Sequence, residues 1–88
     1  MKADHAQITR LLKTAQGQLS GILKMVEEDR YCIDISTQLM ATQSILARAN
    51  AEVLKAHVNH CVRDAMAGGN ADEKLDEIAL VLDKLVKG

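Results

Sequence analysis

The sequence predicts an all-α protein whose protomer has three helices, the central one much the longest. The 88-residue chain contains no proline, the residue that destabilises a helix interior most. Apolar residues make up 48% of the chain, and only one of them is aromatic. They recur at helical spacing in three segments, at about 4–28, 31–67 and 71–86. A chain of this length is predicted to form one domain over residues 1–88.

The first predicted helix has its apolar residues on one face. These residues are Ile8, Leu11, Leu12, Ala15, Leu19, Ile22, Leu23 and Val26. Gly17 and Gly21 lie within this pattern, and each costs about 1 kcal/mol of helix stability relative to alanine. We therefore expect another helix to approach closely at these glycines. The charged run at 27–30 marks the following turn.

The second helix is predicted to continue until Gly68 and Gly69, since no earlier glycine or proline interrupts it. Asn70 suits an N-cap for the third helix, with Glu73 three residues later as in a capping box. The apolar stripe of the second helix includes Ile35, Leu39, Leu46, Val53 and Leu54. The predicted buried face of the third helix comprises Leu75, Ile78, Ala79, Leu82, Leu85 and Val86.

The helix lengths predict an oligomer. At ~1.5 Å per residue, the second helix extends about 50 Å and the first about 36 Å. Folding the first helix against the second leaves residues 55–67 uncovered. Exposed apolar surface there requires a partner, and a two-fold homodimer is the commonest solution.

Composition and charge exclude several classes of protein. No stretch approaches the roughly 18 apolar residues of a membrane span, and the N-terminus lacks a signal peptide, so we expect a cytoplasmic protein without a membrane partner. Two cysteines in that compartment are predicted to be thiols or ligands. The net charge of −1 does not indicate nucleic-acid binding, although residues 1–26 carry +3 and residues 64–88 carry −3. No catalytic triad or phosphate loop is present in the sequence, so neither an enzyme nor a small organic substrate is predicted.

Cys32, His57 and Cys61 are the candidate metal ligands. His57 and Cys61 are four residues apart and share a helix face, whereas His60 points about 100° away from Cys61 and is a weaker candidate. Each residue alone has an ordinary structural explanation, such as a small buried thiol. Cys32 precedes the pair by 25 and 29 residues on the same helix, or roughly 38–44 Å.

No ion with bonds of about 2–2.3 Å can span that separation within one chain. An antiparallel dimer solves the problem, because it sets Cys32 of one subunit beside His57 and Cys61 of the other and generates two equivalent sites. Two thiolates and one imidazole favour Cu(I), since zinc usually requires a fourth ligand.

Several motifs resemble the copper-sensitive operon repressor family over nearly the whole chain. They are Tyr31-Cys32, His57-x-x-x-Cys61-Val62, Gly17-Gln18 and Asp34-x-x-x-Gln38. The resemblance implies a homotetramer, a dimer of dimers, that binds operator DNA when metal-free and releases it on Cu(I) loading. It also places the copper ligands at Cys32 of one subunit and at His57 and Cys61 of the other.

The resemblance assigns further roles. It places hydrogen-bonding partners of the ligating histidine at Tyr31 and Glu77, and a DNA-contacting residue at Arg48. Arg10 and Lys13 lie near a basic pair that the family uses toward DNA, but Leu11 stands where an arginine is expected. Nickel is disfavoured, because the nickel-sensing relatives carry an additional N-terminal histidine ligand that Met1 and Lys2 do not replace.

Three alternatives remain at this stage. The first is a repressor of the same fold that senses persulfide or other reactive sulfur by cross-linking Cys32 to Cys61 of the partner subunit. The second is a metal-storage or trafficking module. The third is an oligomeric helical scaffold that does not bind DNA. The operator and the roles of His5 and His60 stay open.

Overall fold

Residues 1–68 and 71–87 are described by a computed structural model of the chain. Three helices are present there: α1 (His5–Glu27), α2 (Cys32–Gly68) and α3 (Ala71–Lys87). The predicted all-α fold with a long central helix is confirmed. No helix in the described ranges is long and apolar enough to cross a membrane. The predicted N-cap Asn70 and the side chains of Leu85 and Val86 lie outside what the structure describes.

The turn after α1 is closed by backbone hydrogen bonds rather than by a glycine. The amide of Arg30 donates to the carbonyl of Met25, and that of Asp29 donates to Val26, both at 3.0 Å. Asp29 has a φ of 53°, the left-handed conformation that this type of helix ending requires. Helix α2 begins directly afterwards, where the amide of Asp34 donates to the carbonyl of Tyr31 at 3.0 Å.

One compact unit, His5–Ala49, contains α1 and the first part of α2. Its buried residues recur every seven positions, which is the heptad repeat of two α-helices packed as a left-handed coiled coil. They are Ile8, Ala15 and Ile22 on α1 and Thr42 and Ala49 on α2. Thr42 is a buried polar residue whose hydroxyl is 2.8 Å from Oε1 of Gln18, a contact that fixes the register of the two helices.

The second compact unit comprises residues 1–4 and 50–88 and contains the rest of α2 with α3. Cys61 and Val81 are buried in it. The expectation that residues 55–67 lie uncovered was therefore wrong in part, because it neglected α3, whose side chains reach His57 and Asp64. Val62 and Met66 remain exposed on this stretch.

The buried stripe of each helix is narrower than the sequence pattern predicts. A single packing partner covers only a narrow strip of a helix, so other apolar residues stay exposed in the single chain. They include Leu12, Leu19, Leu23 and Val26 on α1, Leu39 and Leu46 on α2, and Leu75 and Leu82 on α3. The predicted close approach at Gly17 and Gly21 is also not made within the described chain, since a Cβ at either position would meet open space.

Candidate metal centre

The second half of α2 places His57 and Cys61 one helical turn apart, as their spacing predicts. Nε2 of His57 lies 3.5 Å from Sγ of Cys61. Helix α3 adds Glu77, whose Oε1 is 2.6 Å from the same Nε2. The donor atoms of these three residues all lie within 4.8 Å of one another. The structure thus brings together a thiol, an imidazole and a carboxylate in one chain.

The contact between His57 and Glu77 defines the tautomer of the imidazole. A carboxylate only accepts hydrogen bonds, so Nε2 carries the proton and donates it to Oε1. In the neutral ring Nδ1 then holds the lone pair. The hydrogen bond from His57, followed by one from the Cys61 thiol, lowers the pKa of Glu77. The carboxylate is therefore ionised at neutral pH.

Cys61 is a buried thiol with a raised pKa. Only 1% of the residue is exposed, and this burial is the main reason that its pKa is raised. Glu77 raises the pKa further by accepting a hydrogen bond from the thiol and by its negative charge, whereas Lys74 lowers it. Only the thiolate binds a metal, so metal binding must displace a proton from this residue.

Lys74 is a residue of the site that the sequence analysis missed. Its Nζ lies 3.7 Å from Oε2 of Glu77 and 3.7 Å from Oδ2 of Asp64. The two oxygens of Glu77 therefore face different partners, one the imidazole and the other the ammonium group. The available signal was the spacing of three residues between Lys74 and Glu77, which places both on one face of α3. His60, the weaker candidate, pairs with Asp64 at 3.3 Å.

A cavity of about 500 Å³ opens beside His57 and Glu77. Side chains from α2, α3 and the N-terminal segment line it, namely Met1, Lys2, Val53, Leu54, Leu80, Val81 and Lys84. A small ion with its water shell therefore has access to the imidazole and the carboxylate.

Cys32 and Tyr31 belong to the other compact unit, at the start of α2. Both are exposed, and Cys32 is a free thiol. Among the described residues, Cys32 does not belong to the group formed by His57, Cys61 and Glu77.

The predicted DNA-contacting residues lie within the unit His5–Ala49. Arg10 and Arg48 line one cleft of about 350 Å³, together with Gln7, Leu11, Thr14 and Ile45. Lys13 shares with Arg10 a shallow groove along α1, which is also lined by His5, Thr9 and Thr14. Arginines from two helices thus converge on one exposed cleft.

A protein-family model described as "metal-sensitive transcriptional repressor" matches residues 4–84. The chain belongs to this family. The resemblance noted from the motifs is thereby confirmed, and the family consists of transcriptional repressors, which are not enzymes.

Characterised members of the family share about two residues in five with this chain. The copper-sensing transcriptional repressor CsoR of Bacillus subtilis is 41% identical over 81 residues, which cover 92% of this chain and 80% of that protein. The copper-sensing transcriptional repressor RicR of Mycobacterium tuberculosis is 42% identical over 78 residues, covering 86% and 81%.

Two solved structures share the fold. The nickel-responsive transcriptional regulator InrS superposes with a TM-score of 0.87 at 28% identity, covering 97% of this chain and 96% of that one. The copper-sensing repressor CsoR of Geobacillus thermodenitrificans, crystallised with Cu(I), gives a TM-score of 0.80 at 38% identity, covering 92% and 84%. The fold is therefore shared by regulators that respond to different metals.

Proposed function

We propose that this protein is a Cu(I)-responsive transcriptional repressor of the cytoplasm. It binds operator DNA when metal-free and releases it when Cu(I) binds His57 and Cys61 of one subunit together with Cys32 of another. The observation that carries the proposal is the buried Cys61 thiol beside the His57 ring, with Sγ 3.5 Å from Nε2, in a chain about 40% identical to copper-sensing repressors.

The residues present fit Cu(I). A thiolate and an imidazole on adjacent turns supply two ligands, and thiolates select a soft ion. When bound, the ion supplies a positive charge that takes the place of the proton on Cys61. Because Nε2 of His57 is engaged by Glu77, Nδ1 is the nitrogen available to the ion.

The third ligand comes from a second copy of the chain. Cys32 is exposed at the start of α2, 25 residues before His57, so its own chain does not bring it to the site. The exposed leucines of α1 and α2 supply apolar surface for a dimer and for a dimer of dimers. Tyr31, next to Cys32, would then lie beside the His57 ring and Glu77 of the partner, where its hydroxyl could donate a hydrogen bond to the carboxylate.

Repression would depend on the basic cleft of the other unit. Arg10, Lys13 and Arg48 would contact DNA phosphates, and a tetramer would present four such surfaces. Copper would be coupled to DNA through Glu77, because a His57 ring fixed through Nδ1 holds this α3 residue through Nε2. Coupling of this kind typically amounts to about 1–3 kcal/mol.

The test combines metal binding with a DNA shift assay. We expect one Cu(I) per subunit, an X-ray absorption spectrum with two sulfur ligands and one nitrogen ligand, and loss of the DNA complex on loading. A Cys32→Ala protein should lose most of its copper affinity. Undiminished affinity in that variant would exclude the intersubunit site. A parallel titration with Ni(II) tests the metal to which the structural neighbour InrS responds.

A reactive-sulfur sensor is the second candidate, and the free exposed thiol of Cys32 favours it. In that case the Cys32 thiolate would attack a polysulfide and keep one of its sulfurs as a persulfide, while the shortened polysulfide leaves. The Cys61 thiolate of the partner subunit would then attack Sγ of Cys32 and displace sulfide, which forms the cross-link. A His57→Ala variant separates the two functions, because the imidazole is a copper ligand but takes no part in sulfur exchange. Retained release by polysulfide and lost release by Cu(I) would show that both chemistries are available.

A further inference from the structure

A second, smaller cavity lies on a face of α2 that the candidate metal centre does not use. It measures about 280 Å³, and α2 contributes Ala56, Asn59, His60 and Arg63 to its lining. Spacings of three and four residues place these four on one helix face. Lys2 completes the lining from the N-terminal segment, which belongs to the same compact unit. None of the five residues is a proposed metal ligand.

The lining of this cavity is basic. Lys2 and Arg63 carry positive charges, and within the described ranges neither of them forms an ion pair. The amide of Asn59 supplies two further hydrogen-bond donors. Among the described residues that line the cavity, none is acidic. Donors and positive charge without a carboxylate are the chemistry that binds an anion.

The acid nearest to Arg63 along α2 is engaged elsewhere. Oδ2 of Asp64 lies 3.3 Å from Nε2 of His60 and 3.7 Å from Nζ of Lys74. A carboxylate only accepts hydrogen bonds, so Nε2 of His60 donates to Asp64. The contact orients the His60 ring as one wall of the cavity, which makes His60 a positioning residue.

We propose that Lys2, Asn59 and Arg63 bind a small oxoanion of the phosphate class. The guanidinium group of Arg63 matches two oxygens of such an ion, while the ammonium group of Lys2 acts as a point charge on a third. The small side chain of Ala56 leaves the floor of the cavity open. Its volume exceeds that of several water molecules at about 30 Å³ each, so one phosphate with part of its hydration shell fits.

The charge of the surrounding unit favours a free ion over a phosphate of the DNA backbone. Residues 1–4 and 50–88 contain six lysines and arginines against eight aspartates and glutamates, a net charge of −2. Such a unit repels a long polyanion, whose binding requires several cations in a row. A single small ion needs only the local pair formed by Lys2 and Arg63. The site requires neither copper nor DNA, so its failure would leave the proposed function standing.

Nuclear magnetic resonance tests the site in the full-length, metal-free protein. Inorganic phosphate is titrated at constant ionic strength, which is maintained with chloride. We expect saturable shifts of the backbone amides at 59–63 and of the Arg63 side-chain Nε. Arg63→Ala should weaken phosphate binding by at least about tenfold, because a bidentate contact to a charged ligand is lost. Lys55→Ala removes an equal charge from an exposed position of α2 outside the cavity and should leave the affinity unchanged.

Three further outcomes decide the proposal. Weaker binding in Arg63→Lys, which keeps the charge and loses the planar fork, supports bidentate recognition. Shifts that chloride alone reproduces, or an equal loss in the Arg63→Ala and Lys55→Ala proteins, overturn the site. A duplex DNA added in place of inorganic phosphate separates the two sources of the ligand. Shifts at 59–63 with the duplex but not with inorganic phosphate overturn the free ion as the occupant.

Discussion

Nζ of Lys74 lies 3.7 Å from Oε2 of Glu77, while Oε1 of the same carboxylate accepts the proton of His57. The carboxylate thus lies between the ammonium group of Lys74 and the imidazole that would ligate a metal. Lys74 also faces Asp64 on α2 at 3.7 Å, so it links the first turns of α3 to the end of α2.

Replacing Lys74 with a neutral residue should weaken metal binding. In Lys74→Met, the ammonium group no longer offsets the negative charge of Glu77 beside Cys61. The pKa of Cys61 then rises further, because Lys74 lowers that pKa in the wild-type protein. More free energy is then needed to form the thiolate. We expect Cu(I) affinity near neutral pH to fall by several-fold, and the loss to shrink as the pH is raised. Lys55→Met, an exposed position on α2, is the control. An equal loss at all pH values would indicate a steric rather than an electrostatic role.

The two cysteines should differ in reactivity. Cys32 is exposed, whereas Cys61 is 1% exposed and has a raised pKa, so iodoacetamide should label Cys32 first in the metal-free protein. Glu77→Gln removes a carboxylate that raises the pKa of Cys61 and should accelerate labelling of that residue. Mass spectrometry of quenched time points measures both rates. Faster labelling of Cys61 than of Cys32 in the wild-type protein would contradict the burial of this thiol.

The same pKa shifts predict how stability varies with pH. The folded-state pKa of Cys61 is raised, so its contribution is complete below the ordinary value of about 8.5 and disappears as pH rises through the folded value. The pKa of Glu77 is lowered, so its contribution is present above about 4.3 and disappears as pH falls through the folded value. The free energy of unfolding, measured with urea, should therefore fall at both acid and alkaline pH. Cys61→Ala should flatten chiefly the alkaline side, and Glu77→Gln chiefly the acid side.

The sequence predicted the pair on α2 better than it predicted α3. His57 and Cys61 lie four residues apart, and a helix alone brings such residues onto one face. Glu77 was available only from the family resemblance, because its approach to His57 depends on how α3 packs against α2. For Lys74, the only feature of the sequence that pointed to the site was its helical spacing from Glu77. Burial was predicted too broadly, since periodicity shows that a helix has an apolar face but not which molecule covers each part of it.

Gly17 and Gly21 can be used to test whether another subunit packs against this part of α1. A Cβ at either position meets nothing within 4 Å in the single chain, so Gly17→Ala should gain helix propensity and stabilise the fold by about 0.5–1 kcal/mol. Thermal unfolding measures the gain, and Ser20→Ala, at an exposed neighbouring position, is a control. A destabilised or dissociated Gly17→Ala protein would show instead that a helix of another subunit makes the close approach predicted at this glycine.

The arginine cleft gives the sharpest test of how the protein meets DNA. Arg10 of α1 and Arg48 of α2 line it together, so each should neutralise phosphate charge and release counterions. Arg48→Ala should keep its copper, lose operator affinity, and show a salt dependence shallower by about one unit for each phosphate that is no longer neutralised. Arg63→Ala removes an equal charge from an exposed position in the other unit and is the matched control. Fluorescence anisotropy at several salt concentrations measures both the affinity and the slope.

If Arg63→Ala weakens DNA binding as much as Arg48→Ala, net charge rather than this cleft governs affinity. If only Arg48→Ala does so, and the copper-bound form shows no such difference, the cleft is the surface from which copper releases DNA.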